Sequence, residues 1–473
     1  MHTLQKMKIK LLSRREEDHA RGSAREQHRQ RKNADPALHP FERAREYTRA
    51  VRAVKLERMF AKPFLGAMDD HGDTVTCCST SPSSLSAFVS GGADGEVIVW
   101  DLPSRAKLWS VFAHAGSARG VSVAADGGGF FSVGADRCVK LWRLAARAAL
   151  AGEVGGSGGG GGGGVAPVRV WDARAGLCGV DGHVLDAARF ATCGGAGVEV
   201  WDVGRGDPLC SLAWGAHAAT CVRWNPGEAH LLLAASSDRG VALYDTRAAA
   251  PLCKATFTMN ANAAAWNPRE PINFTLASED SNLYTFDMRR LDAAACVHKG
   301  HTAAVMDVHF SPTGREFASA GYDRTVKLWA AAGAGAGERA GRARDTYHGQ
   351  RMGRVWTVRF TPDGRFLLSG SDDANVRLWK ARASEALAPQ LPRERAAANY
   401  RGALKAKFAH MPEVKRIANM RRLPKAVKNA ELRVREEEAK VKRKLANVRA
   451  HTKPGSGQGV PVAEVKRPIV GVE

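Results

Sequence analysis

The sequence predicts an all-β fold built from seven copies of one sheet-forming repeat and held between two basic extensions. Two observations predict it. A Gly/Ser/Asp turn that leads into an alternating apolar strand ending on an aromatic residue recurs along the middle of the chain. The net charge of +22 is also segregated: +9 over residues 1–65, −1 over 66–379 and +14 over 380–473. The expected organisation is therefore an N-terminal extension (1–65), a repeat array (66–380) and a helical C-terminal domain (381–473).

The N-terminal extension has basic residues near its start but no apolar core behind them, which excludes a secretory signal. With no transmembrane span either, the chain is read as intracellular. Tyr47, Ala50, Val51, Val54 and Phe60 recur at helical spacing and predict a short helix lying against the repeat array. Ala61 to Leu65 then supplies an outer strand that closes the ring and removes its open edge.

Clear copies of the repeat read Ser90–Asp101, Val133–Trp142, Ser319–Trp329 and Ser369–Trp379, and weaker ones end at Trp201, Tyr244 and Phe286. The terminal aromatics stand at 100, 142, 201, 244, 286, 329 and 379, with gaps of 42, 59, 43, 42, 43 and 50 residues. The two long gaps contain a poly-glycine run (about 152–166) and an Ala/Gly run (330–343). Glycine loses too much backbone entropy on ordering, so both are expected as flexible excursions between repeats. The glycine run is not a phosphate loop, because no Lys-Ser/Thr follows it. An extra Trp171-Asp172 ends only 30 residues before Trp201, too close for a whole repeat, so the count stays at seven.

A 42 to 43 residue period with Gly-His near its start and Trp-Asp near its end resembles the WD repeat, and the resemblance implies a seven-bladed WD-repeat β-propeller. It also implies a brace in each blade made of a His, a turn Asp, a Ser/Thr and the Trp. The matching histidines are His71, His114, His183, His217, His301 and His348. The turn aspartates are Asp94, Asp136, Asp238, Asp280, Asp323 and Asp373, and the tryptophans include Trp100, Trp142, Trp329 and Trp379. A His-Asp pair repeated once per blade is a structural device rather than a general base. The third blade lacks the turn Asp and the fifth lacks the Gly-His, so those two are expected to be less well braced.

The C-terminal region is punctuated by Pro392, Pro412 and Pro424, each placed where a helix begins, which predicts three basic helices. The third, roughly Lys425 to Arg449, carries Val434, Val441, Leu445 and Val448 on a narrow stripe. Glu436–Lys440 and Glu438–Lys442 are spaced as i,i+4 pairs. Two readings stand: a solvated charged helix, or a helix that docks in a groove of RNA or of a large assembly. Candidate contacts to RNA or to assembly partners are Arg416, Arg421, Arg422, Lys425, Lys442, Arg443 and Lys444. Tyr400 and Phe408 stand alone, so base stacking is not expected.

Both tails resemble one family. Met7–Arg14, Asp35–Glu42, Lys55–Leu65, Arg382–Glu385, Lys415–Ala418, Leu423–Lys425 and His451–Gly455 look like WD-repeat proteins with a SOF-type C-terminal domain. The resemblance implies a non-catalytic scaffold of the nucleolar small-subunit processome, associated with the U3 snoRNP and needed for 18S rRNA maturation. Its partners would be pre-ribosomal proteins, with U3 snoRNA and pre-rRNA. In animals the family is also described as substrate receptors of a cullin-RING ubiquitin ligase with a damaged-DNA-binding adaptor. Such receptors carry W-D-x-R-like boxes, and this chain has Tyr244-Asp245-Thr246-Arg247 and Phe286-Asp287-Met288-Arg289. Arg247 and Arg289 are the candidate adaptor contacts, with a purely structural or surface role as the alternative.

Nine cysteines without a C-x-x-C pair support neither a disulfide framework nor a zinc knuckle, and are read as reduced core thiols. No P-loop, zinc box or nucleophile elbow is present. No enzyme activity, catalytic residue, metal, cofactor, small-molecule substrate or membrane association is expected.

Overall fold

The structure is a computed structural model that describes residues 38–144, 166–213, 217–248, 251–331, 341–420, 423–451 and 469–472. The chain divides into two compact units: Met1–Lys62 with Arg382–Arg421, and Pro63–Ala381 with Arg422–Glu473. The C-terminal segment expected as one domain is shared between them.

The second unit is a seven-bladed β-propeller of antiparallel sheets. In each sheet the third strand is the segment found by its terminal aromatic, from Glu96–Asp101 in blade 1 to Val376–Lys380 in blade 7. Its apolar residues alternate between the sheet's two faces, and each face packs on a different neighbouring blade. Val89, Val97 and Val99 of blade 1 thus share a core with Val121, Phe130 and Trp142 of blade 2. On the other side of blade 2, Phe131 stacks on Phe190 of blade 3, with ring centroids 4.5 Å apart. Blade 7 has three strands of its own, and Phe64–Met68 completes it by pairing antiparallel with Val376–Lys380. The ring is therefore closed by the N-terminal strand that the sequence assigned to that task.

Two expectations are corrected. The long insertions lie within blades, not between them: the first separates Cys138–Arg143 from Arg169–Asp172 in blade 2, and the second separates Val326–Ala330 from Ala343–Tyr347 in blade 6. The extra Trp171-Asp172 is consequently the outer strand of blade 2, and Ala330 and Ala343 are strand residues. The poly-glycine run up to residue 165 and residues 332–340 lie outside the described residues.

Around the channel, the fifth residue of an inner strand reaches the next blade. Ser79 Oγ accepts from Val123 N (3.2 Å), Ser122 Oγ from Gly182 N (3.0 Å), and Asp181 from Trp224 N (2.8 Å). His309 Nδ1 accepts from Phe360 N (3.2 Å), and Arg359 Nε donates to Cys78 O (3.1 Å), which joins blade 7 to blade 1. Asp307 adds the tightest link: its Oδ2 accepts from Thr357 Oγ1, Val358 N and Arg359 at 2.8–2.9 Å.

The first unit is helical. Helix α1 (Glu42–Met59) packs on α2 (Pro392–Lys407) and α3 (Pro412–Ala418) through Ala50, Val51, Val54, Leu404, Phe408 and Val414. The helical spacing read in the sequence is thus correct, and its apolar face is covered by α2 and α3. Proline occupies the first turn of both α2 and α3, as predicted. Lys405–Glu57 (2.6 Å) and Lys407–Glu46 (2.5 Å) tie α1 to α2, and Phe408 is a buried core ring.

The propeller unit also contains α4 (Lys425–His451), which begins just after Pro424, and a final strand, Ile469–Val472, paired with the outer strand of blade 4. None of the nine cysteines is in a disulfide, and burial pushes the Cys77 thiol up to about 11.

Candidate functional site

The four-membered brace forms in full in two blades. In blade 2, His114 Nδ1 pairs with Asp136 (2.9 Å), Nε2 faces Ser132 Oγ (2.9 Å), and Trp142 Nε1 donates to the same hydroxyl (2.9 Å). Blade 6 repeats this with His301–Asp323 (2.9 Å), Ser319 (2.6 Å) and Trp329 (2.8 Å). Burial pushes the His301 pKa down despite the pull of Asp323. Burial opposes ionisation of Asp323 as well, but His301, Lys327 and Thr325 outweigh it and hold the carboxyl at about 2. A lysine latches the same loop in both blades: Lys140 Nζ donates to Ala113 O, and Lys327 Nζ to Gly300 O.

Ser-His-Asp in this order has the outline of a hydrolase triad. The hydroxyls of Ser132 and Ser319 nevertheless accept from tryptophan, and both serines are 0% exposed. No substrate can reach them, so the sets act as struts.

The other blades differ from this pattern, and in blades 4, 5 and 7 a further residue takes part. In blade 1, His71 Nε2 faces Ser90 Oγ (2.6 Å) and Trp100 donates to that hydroxyl (2.7 Å), but His71 Nδ1 makes no bond to Asp94. In blade 4, His217 is exposed and Asp238 is held instead by Lys254 (2.5 Å) and Ser236. In blade 7, Trp379 donates to Ser369 (2.8 Å), and Asp373 pairs with Arg377. His183 caps a turn by accepting from Leu185 N and Asp186 N, and bridges to Ala229 O of blade 4. Blade 3 retains only the Trp201–Thr192 bond (2.9 Å). Blade 5 substitutes a residue the sequence did not reveal: His298, on the outer strand, meets Thr285 Oγ1 (3.0 Å) and packs edge-on to Phe317 of blade 6.

The turn aspartates recur for a second reason. Asp94, Asp136, Asp238, Asp280 and Asp323 each accept from the backbone N–H two residues on, at 2.9–3.3 Å. The intervening residue takes a left-handed conformation in every case: Gly95, Arg137, Arg239, Ser281 and Arg324.

The candidate adaptor arginines occupy equivalent positions just past the third strands of blades 4 and 5. Arg247 forms a two-pronged pair with Asp245, with Nη2 2.9 Å from Oδ2, and Arg289 Nε lies 3.9 Å from Asp287 Oδ1. Both side chains are about two-thirds exposed, at 67% and 64%. The Arg247 side chain and its backbone N–H lower the pKa of Asp245 below its ordinary value.

Of the candidate polyanion contacts, Arg416 is exposed on α3, and Lys425, Lys442, Arg443 and Lys444 are exposed on α4. Arg421 and Arg422 lie outside the described residues. Of the apolar stripe of α4, Val441 and Val448 are about half exposed, while Val434 and Leu445 are partly buried. The helix is anchored near its start by Glu431, which pairs with buried Lys327 (3.5 Å) and, one turn on, with Arg435 (3.8 Å). That ion pair is the observed i,i+4 contact, and the side chain of Glu438 lies outside the described residues. Among the described residues no helix is long and apolar enough to cross a membrane.

Comparison with known proteins decides the family. A Sof1-like domain model matches residues 381–469, and a WD domain, G-beta repeat model matches residues 63–101, 294–330 and 341–380. The chain is 43% identical to DDB1- and CUL4-associated factor 13 of Xenopus laevis, over 98% of this chain and 100% of that protein. It is 36% identical to Protein SOF1 of Saccharomyces cerevisiae, over 98% of this chain and 95% of that protein. The chain belongs to the Sof1 family of WD-repeat proteins. The human DDB1- and CUL4-associated factor 13 is 42% identical over 98% of this chain and its own full length. The Sof1-like region spans α2, α3 and α4, so one family segment supplies helices to both compact units.

Proposed function

We propose that this protein is a non-catalytic scaffold of the nucleolar small-subunit processome, associated with the U3 snoRNP and required for processing of pre-rRNA to 18S rRNA and for 40S subunit biogenesis. The observation that carries this reading is end-to-end similarity to Protein SOF1, including the Sof1-like region that a generic propeller lacks. The chemistry is compatible with it. The propeller spends its His, Asp and Ser groups on internal struts and offers rigid surfaces to neighbouring proteins. The basic excess is concentrated in the terminal regions, where Arg416, Lys425, Lys442, Arg443 and Lys444 project into solvent and suit a polyanion. Contacts of this kind grip phosphates without reading sequence.

Purification of the tagged protein from its own cells at matched low and high salt tests the reading, with bound RNA sequenced and bound proteins identified. Enrichment of U3 snoRNA and 18S precursors is expected, and their absence at both salt concentrations would overturn it.

A second reading is that the protein is a substrate receptor of a cullin-RING ubiquitin ligase. It is favoured by the names of the vertebrate relatives and by the solvent-facing Arg247 and Arg289 at equivalent places on consecutive blades. An adaptor carboxylate would exchange with Asp245 and Asp287 for the guanidinium groups. Recovery of the adaptor by the wild-type protein, and not by an Arg247→Ala/Arg289→Ala variant, is the expected result.

A further inference from the structure

Blade 1 differs from blades 2 and 6 in two ways that meet at one point. The first is His71. Its ring is 5% exposed and set against Ser90 as in the complete braces, yet Nδ1 is buried without a hydrogen-bond partner. The corresponding nitrogens of His114 and His301 bond their turn aspartates at 2.9 Å. The second is Glu96. The residue two positions after the turn Asp is Cys138 in blade 2, Gly240 in blade 4, Asn282 in blade 5, Thr325 in blade 6 and Asn375 in blade 7. In blade 1 it is a glutamate that is itself buried. A ring nitrogen of His71, an Asp94 oxygen and a Glu96 oxygen all lie within 4.8 Å of one another.

Neither tautomer of a neutral His71 suits this setting. With the proton on Nδ1, a buried donor goes unpaired. With the proton on Nε2, the buried Nδ1 lone pair finds no donor. A cation held jointly by His71, Asp94 and Glu96 removes both difficulties.

We propose that His71, Asp94 and Glu96 form a binding site for a divalent transition-metal cation of the Zn2+ class. One imidazole nitrogen with carboxylate oxygens is a donor set that Zn2+ accepts, whereas Mg2+ prefers an all-oxygen shell. Zinc holds such donors at about 2.0–2.2 Å, so small rotations of the two carboxylates complete the site and water fills the remaining position. Ser90 supplies the outer support: its hydroxyl, already accepting from Trp100, accepts from the Nε2–H of a metal-bound His71 and fixes the ring. The bound cation fastens the loop before the inner strand to the turn between the second and third strands. It does for blade 1 what the direct His-Asp bond does for blades 2 and 6. Blade 1 lies at the closure of the ring, where Thr74 donates to Asp372 (3.0 Å) and Thr80 to Phe360 O (3.3 Å).

The test uses the full chain, stripped with a chelator under reducing conditions and titrated with ZnCl2 against a chromophoric competitor. Wild type is compared with Glu96→Gln and with Glu96→Thr, the second copying the residue that blade 6 tolerates at this place. Wild type is expected to take up one Zn2+ more than either variant, with affinity roughly tenfold or more above what the variants retain. Its melting temperature should rise with Zn2+, not with equimolar Mg2+, while both variants stay flat. Equal stoichiometry and affinity in wild type and variants would overturn the site and assign any bound Zn2+ to the cysteines. An equal response to Mg2+ would overturn the metal class.

Discussion

Asp307 of blade 6 and Arg359 of blade 7 meet at 2.8 Å beside the channel, and the same carboxylate oxygen also accepts from Thr357 and Val358. One buried side chain therefore holds two neighbouring inner strands together by three donors. Arg359 carries the link onward to blade 1 through Cys78 O. Substituting Asp307→Asn removes the charge and leaves the guanidinium uncompensated, which costs about 3–5 kcal/mol. Urea unfolding should show the whole loss at the midpoint, and a loss below about 1 kcal/mol would contradict the role assigned to this residue.

The brace in blade 5 predicts a pH dependence. Burial between Thr285, Phe317 and Trp329 pushes the His298 pKa down from 6.5 to about 4. Between those values the unfolded chain binds a proton that the folded chain refuses, so stability rises with pH across the window. The contribution is intact above pH 6.5 and is lost progressively as pH falls towards 4, amounting to roughly 3 kcal/mol at 1.36 kcal/mol per unit. A His298→Phe variant should show a flatter stability profile between pH 6.5 and 4. An unchanged slope would show that His298 does not titrate in this way.

The left-handed turn positions give a pair of opposite predictions. Gly95 has φ +82° and the Cβ of an alanine would stand 2.2 Å from His114 O, so Gly95→Ala should cost roughly 2 kcal/mol or more. Ala374 sits at φ +61° in the equivalent turn of blade 7 and pays a steric penalty there. Ala374→Gly should be neutral or gain up to about 1 kcal/mol, partly offset by the freer unfolded chain. Thermal melts of the two variants against wild type check both signs.

These same places mark how far the sequence could be read. The third strands and their aromatics were legible because alternation and a fixed period depend on local geometry alone. The Velcro-like strand Phe64–Met68 was legible because a ring must hide its edge. The insertions were assigned to the wrong place because a gap between aromatics does not say which loop of the repeat contains it. The outer strand Arg169–Asp172 shows the consequence. In blades 4 and 7 a cation on a strand of the same blade took the turn Asp: Lys254 of the outer strand for Asp238, and Arg377, four residues on, for Asp373. The recurrence of Asp was read as a histidine partner, when its constant task is to hold the turn. His298 was hidden because it approaches from an outer strand, outside the motif. Arg247, Arg289 and the basic residues of α4 were legible as exposed groups, but exposure states no partner.

The basic face of α4 should matter for assembly and not for folding. Lys442, Arg443 and Lys444 are exposed and far along the helix from the Glu431–Lys327 anchor. Charge reversal of all three should leave the melting temperature within about 1 °C, because exposed charges contribute little to stability. Co-sedimentation with pre-ribosomal particles should weaken and become less salt-dependent. Normal incorporation of that variant, and likewise of an Arg421/Arg422/Lys425 charge reversal, would remove the tails from the account.

The central claim is that the protein is needed to make the small subunit. Its most direct test is depletion in its own cells with pre-rRNA species followed by hybridisation, and rescue by wild type or by Arg247→Ala/Arg289→Ala. The account predicts that 18S rRNA and 40S subunits fall while 18S precursors accumulate, that large-subunit rRNA is spared at first, and that both genes restore processing. Unaltered 18S production after depletion, or rescue that depends on Arg247 and Arg289, would contradict it.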